Sequence, residues 1–135
     1  MRHWLVKSEP TVYPYDQLVA DGRTAWTGIR NNQARLWLLE MQPGDLLFFY
    51  HSNVGKEVVG VASVVGRAYQ DPTAEDPRWV CVEVAPVRRL ARPVALQQFR
   101  DDPLLKDTYL VKQGRLSTMP LSPEQYARVL TLAGE

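Results

Sequence analysis

Residues 25–35, AWTGIRNNQAR, crowd a tryptophan, two arginines, two asparagines and a glutamine ahead of the apolar run LWLLEM. One asparagine is enough to cap a helix. The surplus of planar, donor-rich groups beside an indole therefore reads either as an elaborate cap or as a binding site. The chemistry such a set performs is recognition: an indole face stacks on a flat ring, and short polar groups read the ring's edge. A purine or pyrimidine flipped out of its strand uses both. On this reading Trp26 is a stacking platform, and Arg30 and Arg35 hold flanking phosphates. The plainer alternative pairs those arginines with Glu9 and Glu40. Trp79, like Trp26, stands where a loop meets an element; closing one end of a sheet is the competing role for each. Trp37 lies on a helix stripe, and Trp4 alternates with Val6 in a strand, so both are expected in the core. In FYHSN a turn accounts for Ser52 and Asn53, while Tyr50 and His51 become candidates for a pocket rim.

Catalytic constellations are hard to find. His3 and His51 are the only histidines, and neither has a metal-ligand partner at helical spacing, so no zinc site is expected. The single Cys81 excludes an internal disulfide, and its place in an apolar strand suits an inert core thiol rather than a nucleophile. Ser8 lacks the Gly-x-Ser-x-Gly elbow, and no glycine-rich loop follows a strand to cradle phosphate. The expectation is a non-enzyme with neither cofactor nor metal.

Composition sets further bounds. A chain of 135 residues with 45% hydrophobic and 23% charged residues is expected to form one globular domain over residues 1–135. No apolar run approaches the roughly 20 residues that span a membrane, and the N-terminus MRHWLVKSEP lacks a signal-peptide core. A cytoplasmic protein is the expectation. With a net charge of +1, non-specific binding to duplex by charge alone would be weak, so any nucleic-acid contact must be local.

The elements that must position these residues follow from periodicity. HWLVKS is read as a first strand that ends where Pro10 restricts Glu9. YPYDQLVADG is a short helix closed by Asp21-Gly22. RNNQARLWLLEM is a helix capped by Asn31 or Asn32, with Ala34, Trp37, Leu38 and Met41 on one stripe. DLLFFYH is a fully buried strand, and EVVGVASVVG a β-branched strand with a glycine bend or bulge. AYQDPTAEDPR is a loop, WVCVEVAPV an alternating strand, and RPVALQQFR a short helix. In SPEQYARVLTLAG, Ser122 caps, Pro123 takes the first helical position and Gln125 completes a capping box. Together these predict an α+β domain around a strongly bent, mostly antiparallel sheet or barrel flanked by short helices.

Six stretches occur in one order along nearly the whole chain: WLVKSEP at 4–10, WTGIRNNQAR at 26–35, PGDLLFFYHS at 43–52, GVASVV at 60–65, DPRW at 76–79 and LVKQGRLSTMPLS at 110–122. In this the sequence resembles the EVE domain family, which implies a PUA-like fold. More distantly, Lys7-Ser8, Trp26-Thr27, Gly60-Val61-Ala62 and Arg78-Trp79 are similar to the pattern of YTH domains, readers of methylated adenine in RNA. That resemblance implies an aromatic cage with Trp26 as the stronger contributor and Trp79 as the weaker. The EVE resemblance implies a nucleic-acid partner, DNA or RNA, carrying a modified base, with modified cytosines prominent. Lys7, Ser8 and Thr27 lie in the shared motifs, and Arg30, Asn31, Tyr50 and His51, singled out by residue type and position, complete the set expected around the ligand. The resemblance names neither the base nor any protein partner. A nucleoside-like small-molecule pocket, enzymatic or not, is the alternative on the same fold, and a protein-docking module would instead show an exposed apolar patch.

Overall fold

In the computed structural model, which describes residues 1–135, one curled sheet organises the chain. Its strands are β1 (His3–Ser8), β2 (Thr24–Trp26), β3 (Leu46–His51), β4 (Glu57–Val64), β5 (Tyr69–Gln70), β6 (Val80–Ala95) and β7 (Thr118–Leu121). They run in the order β2-β6-β4-β3-β1-β7, with β5 paired beside β6. Only the β1–β3 pair is parallel. The sheet is a half-barrel whose edges, β2 and β7, stay unpaired with each other. Five short helices flank it: α1 (Tyr15–Asp21), α2 (Asn32–Glu40), α3 (Leu96–Asp101), α4 (Tyr109–Lys112) and α5 (Pro123–Leu132).

The apolar runs make physical sense because β1 and β3 are covered on both faces. Side chains alternate across a strand, so Leu47 and Phe49 enter one cluster with Trp4, Val6 and Trp26. Phe48 and Tyr50 enter a second cluster with Leu5, Phe99 and Tyr126. Trp4 is fully buried, and its indole N–H donates to Asp45 at 3.0 Å.

The bend in β4 has a definite cause. Its register against β6 shifts between Val58 and Gly60 and again between Val61 and Ala62. At Gly60 any Cβ would lie 2.5 Å from the Tyr15 ring, so only glycine lets α1 dock there. The Tyr15 hydroxyl then donates to the carbonyls of Val61 at 2.7 Å and Arg88 at 3.0 Å, fastening the helix across two strands. Caps form as the sequence indicates. The Asn31 side chain accepts from the Ala34 N–H, and Ser122 with Gln125 forms the capping box of α5.

Four expectations need correction. Tyr69–Gln70 inside the expected loop pairs with Val80 and Cys81 as β5. Arg92–Ala95 prolongs β6 rather than starting a helix, so α3 begins only at Leu96. The edge strands β2 and β7 were not anticipated. Trp37 is half-buried, tilted against Tyr109 at 5.0 Å between the two clusters, rather than sealed in one.

Candidate functional site

A cavity of about 400 Å³ opens where the end of β1 faces β2 across the curl. Its polar wall comes from Lys7, Ser8, Glu9, Thr24 and Thr27, and its apolar wall from Val12, Tyr13, Ala25, Trp26 and Ile29. That volume lies within the roughly 300–1,000 Å³ usual for small-ligand pockets. Trp26 is only 8% exposed yet lines the cavity. Its ring meets Phe49 edge-on at 5.5 Å and Tyr13 edge-on at 6.4 Å. It is therefore a core residue with one part of its surface left open to the cavity. Both readings of Trp26, sheet closure and pocket wall, describe the same side chain.

The strand end supplies the polar groups. The Ser8 hydroxyl donates to the Tyr13 carbonyl at 2.6 Å, which folds the Glu9–Tyr13 turn over the pocket and leaves the hydroxyl's lone pairs as acceptors. Lys7 donates from Nζ to the Gly114 carbonyl at 2.5 Å, and burial depresses its pKa below the ordinary lysine value. The Thr27 hydroxyl, half-buried in the wall, makes no hydrogen bond within the protein. Glu9 is held by the Asn53 side-chain amide at 2.7 Å.

Beside the pocket a single buried carboxylate ties the rim together. Asp71 accepts from the Gly28 N–H at 2.8 Å, Arg30 Nη1 at 3.0 Å, the Thr73 N–H at 2.7 Å and the Thr73 hydroxyl at 2.6 Å. Burial alone would raise its pKa. The bonds from Thr73, Gly28 and Arg30 outweigh that and hold the carboxyl well below the usual carboxylate range. Much of the polarity of AWTGIRNNQAR thus serves structure: Gly28 and Arg30 are anchored by Asp71, and Asn31 caps α2.

Of the residues singled out in the sequence, the fold brings Lys7, Ser8, Trp26 and Thr27 to the cavity. Arg30 pairs with Asp71 at 3.0 Å, not with the Glu9 or Glu40 of the alternative reading. Arg35 lies half-buried on α2, its Nε without a protein partner. Tyr50 alternates away from Phe49 into the other cluster and is 3% exposed. His51 Nε2 accepts the Tyr15 N–H at 3.1 Å, and burial lowers its pKa. Trp79 stands outside the cavity, with the Arg30 and Arg78 guanidiniums 5.9 and 5.8 Å from its ring centre. Glu9, Val12, Tyr13, Thr24, Ala25 and Ile29 are the wall residues sequence reasoning passed over. The only sequence sign of them is their position in or just after SEP and on either side of Trp26.

The chain matches the EVE domain family model over residues 2–132. Thymocyte nuclear protein 1 of Gallus gallus is 34% identical over 98% of this chain and 69% of its own length. A Rhodopseudomonas palustris protein solved by NMR is 43% identical, with a TM-score of 0.94, over 99% of this chain and 94% of that one. Human THYN1, solved in complex with 5-methylcytosine-containing DNA, is 31% identical with a TM-score of 0.92, over 100% and 99% of the two chains. A Zygosaccharomyces rouxii YTH domain, at 14% identity and a TM-score of 0.61 over 98% and 86%, shares the fold alone. These relatives correct the cytoplasmic expectation, since the vertebrate proteins similar over nearly the whole chain are named as nuclear. The PUA-like half-barrel, the order of motifs and the match across almost every residue agree: the chain belongs to the EVE domain family.

Proposed function

We propose that this protein is a non-catalytic nucleic-acid-binding module that takes a modified base, flipped from its strand, into the Trp26 pocket. One observation carries the reading: an indole braced edge-on by two aromatic rings still lines an open cavity that also holds a hydroxyl without a protein partner. The bracing fixes the ring before any ligand arrives, so little ordering is needed on binding. Ser8 and Thr27 offer hydroxyls to the edge of a base, and Val12 and Ile29 offer apolar surface to a methyl group. The DNA bound by human THYN1 makes 5-methylcytosine the first base to try.

The test is a binding screen with single- and double-stranded DNA and RNA oligonucleotides, each carrying one modified base or its plain counterpart. Preference for at least one modified strand, reduced by Trp26→Phe, is the expected result. Equal binding of all strands, or none, defeats the reading. Sustained turnover of a nucleoside that disappears in Ser8→Ala would overturn its non-catalytic part.

A further inference from the structure

The pocket has two flanks of different electrostatic character. On the Trp79 flank each guanidinium is already paired with a carboxylate. Arg30 donates to Asp71, to the Ile29 carbonyl at 3.1 Å and to the Thr73 hydroxyl at 3.1 Å, and Arg78 pairs with Asp76 at 2.9 Å. Arg30 with Asp71 and Arg78 with Asp76 make two ion pairs, a local balance of 2 − 2 = 0. A phosphate approaching there meets cations whose charge is already balanced.

The opposite flank is built differently. Lys7 gives one hydrogen to the Gly114 carbonyl, which leaves two of its three donors at the cavity wall. Its backbone N–H also bonds the Ser117 carbonyl at 2.9 Å, so the 113–117 loop is pinned along the end of β1. Arg115 stands on that loop, exposed and with no ion pair. Glu9 is the one carboxylate in the cavity wall, and its charge admits a neutral base more readily than a phosphate.

Resting on the base-binding reading above, we propose that the sugar–phosphate backbone of the bound strand crosses the Lys7–Arg115 flank. Lys7 takes the phosphate of the flipped nucleotide, Arg115 takes a neighbouring one, and Arg30 takes none.

The experiment measures affinity against salt concentration for a 5-methylcytosine oligonucleotide and its unmodified twin, as single strand and as duplex. Removing a side chain that neutralises one phosphate flattens the slope of log K against log salt by about 0.7 for a single strand or 0.9 for a duplex. Arg115→Gln, at an exposed loop site where folding is insensitive, should show that flattening and weaken both strands alike. Lys7→Gln should show it too, and Arg30→Gln should keep the wild-type slope. Wild-type slopes in Arg115→Gln and Lys7→Gln, or a flattened slope in Arg30→Gln, would overturn the placement while the base-binding reading stands. A wild-type protein that binds none of the strands removes that reading, and the placement with it.

Discussion

The two faces of the curled sheet carry aromatic rings of similar size but arrange them differently. On the face covered by α3, α4 and α5, Phe48 stacks on Tyr126 at 4.4 Å, and Tyr126 stacks on His3 at 4.2 Å. On the other face every partner of Phe49 meets it near-perpendicularly: Trp26 at 5.5 Å, Tyr15 at 5.3 Å and His51 at 5.8 Å. Parallel stacking hides a ring face against its neighbour. Edge-on packing supports a ring while leaving more of it uncovered. The Trp26 face therefore makes its pocket from the margin of a core, where the cavity wall inherits the rigidity of the strands.

The strongest way to probe that contrast is to delete one ring from each face. Phe48→Ala should cost roughly 3–5 kcal/mol of stability, as truncation of a buried aromatic does. Base discrimination by the remaining folded protein should stay at the wild-type level. Phe49→Ala should cost a similar amount and also weaken discrimination, because Trp26 loses its brace. Denaturant melts and oligonucleotide binding measured side by side check both. Equal discrimination in the two variants would show that the faces are not functionally distinct.

Trp26→Ala comes next. Its 8% exposure puts the stability loss near the lower end, about 3 kcal/mol. Binding should fall by a further 1–3 kcal/mol, roughly the worth of one aromatic–base stack. Trp37→Ala, at a half-buried site, should cost less stability than Trp26→Ala and leave affinity unchanged. The opposite order of stability would make Trp37 the more deeply packed of the two indoles.

Asp71→Asn tests whether the rim on the Trp26 face depends on a charge. The buried carboxylate receives four hydrogen bonds, and Arg30 is partly exposed, so a loss of roughly 1–3 kcal/mol is expected. Asp71 has a depressed folded pKa. Its stabilisation is complete above the unfolded value of about 3.9 and disappears as pH falls below that toward the folded value. Acid unfolding of Asp71→Asn should accordingly lose part of the steepness seen in the parent below about pH 4. An unchanged acid limb would mean that the carboxylate is not the rim's anchor.

These contrasts also show what the sequence made legible. HWLV announced a strand, LLFFY a strand buried on both faces and SPEQ a capped helix, because those signals are local. The edge strand β2 was hidden, since three residues, Thr24–Trp26, are too few to show a period. Pro120 disguised β7, although an edge strand can spare an N–H. Pro93 similarly disguised the length of β6, because RPVALQQFR read as a helix; Pro86, inside the strand as read, pairs with Ala62 at a register shift, where a missing donor costs least. Within the site, Lys7, Ser8, Trp26 and Thr27 came from resemblance and from residue type. The ion pair of Arg30 was hidden because its partner, Asp71, lies 41 residues away and no local pattern reports it. The face of Tyr50 was hidden because alternation along β3 decides it, and a polar tip does not.

The smallest effects should come from two threonines. Thr27 lines the open cavity without a hydrogen-bond partner in the protein, and the Thr118 hydroxyl is fully buried in the edge strand β7, also without one. Thr→Val keeps the branched shape and removes only the hydroxyl. At Thr27 the stability should change by less than about 0.5 kcal/mol. If the hydroxyl reads a base edge, affinity for the preferred modified strand should fall by about 1 kcal/mol, roughly fivefold. At Thr118 no ligand is in reach, so affinity should hold, and removing an unsatisfied buried hydroxyl should raise stability by up to about 1 kcal/mol. Thermal melts and binding isotherms on the two variants separate the roles. Should Thr27→Val bind the modified strand at full strength, the edge is read by Ser8 or by backbone groups of the wall. Should Thr118→Val be the variant that loses affinity, the ligand enters from the β7 edge, and the Trp26 cavity is not where the base goes.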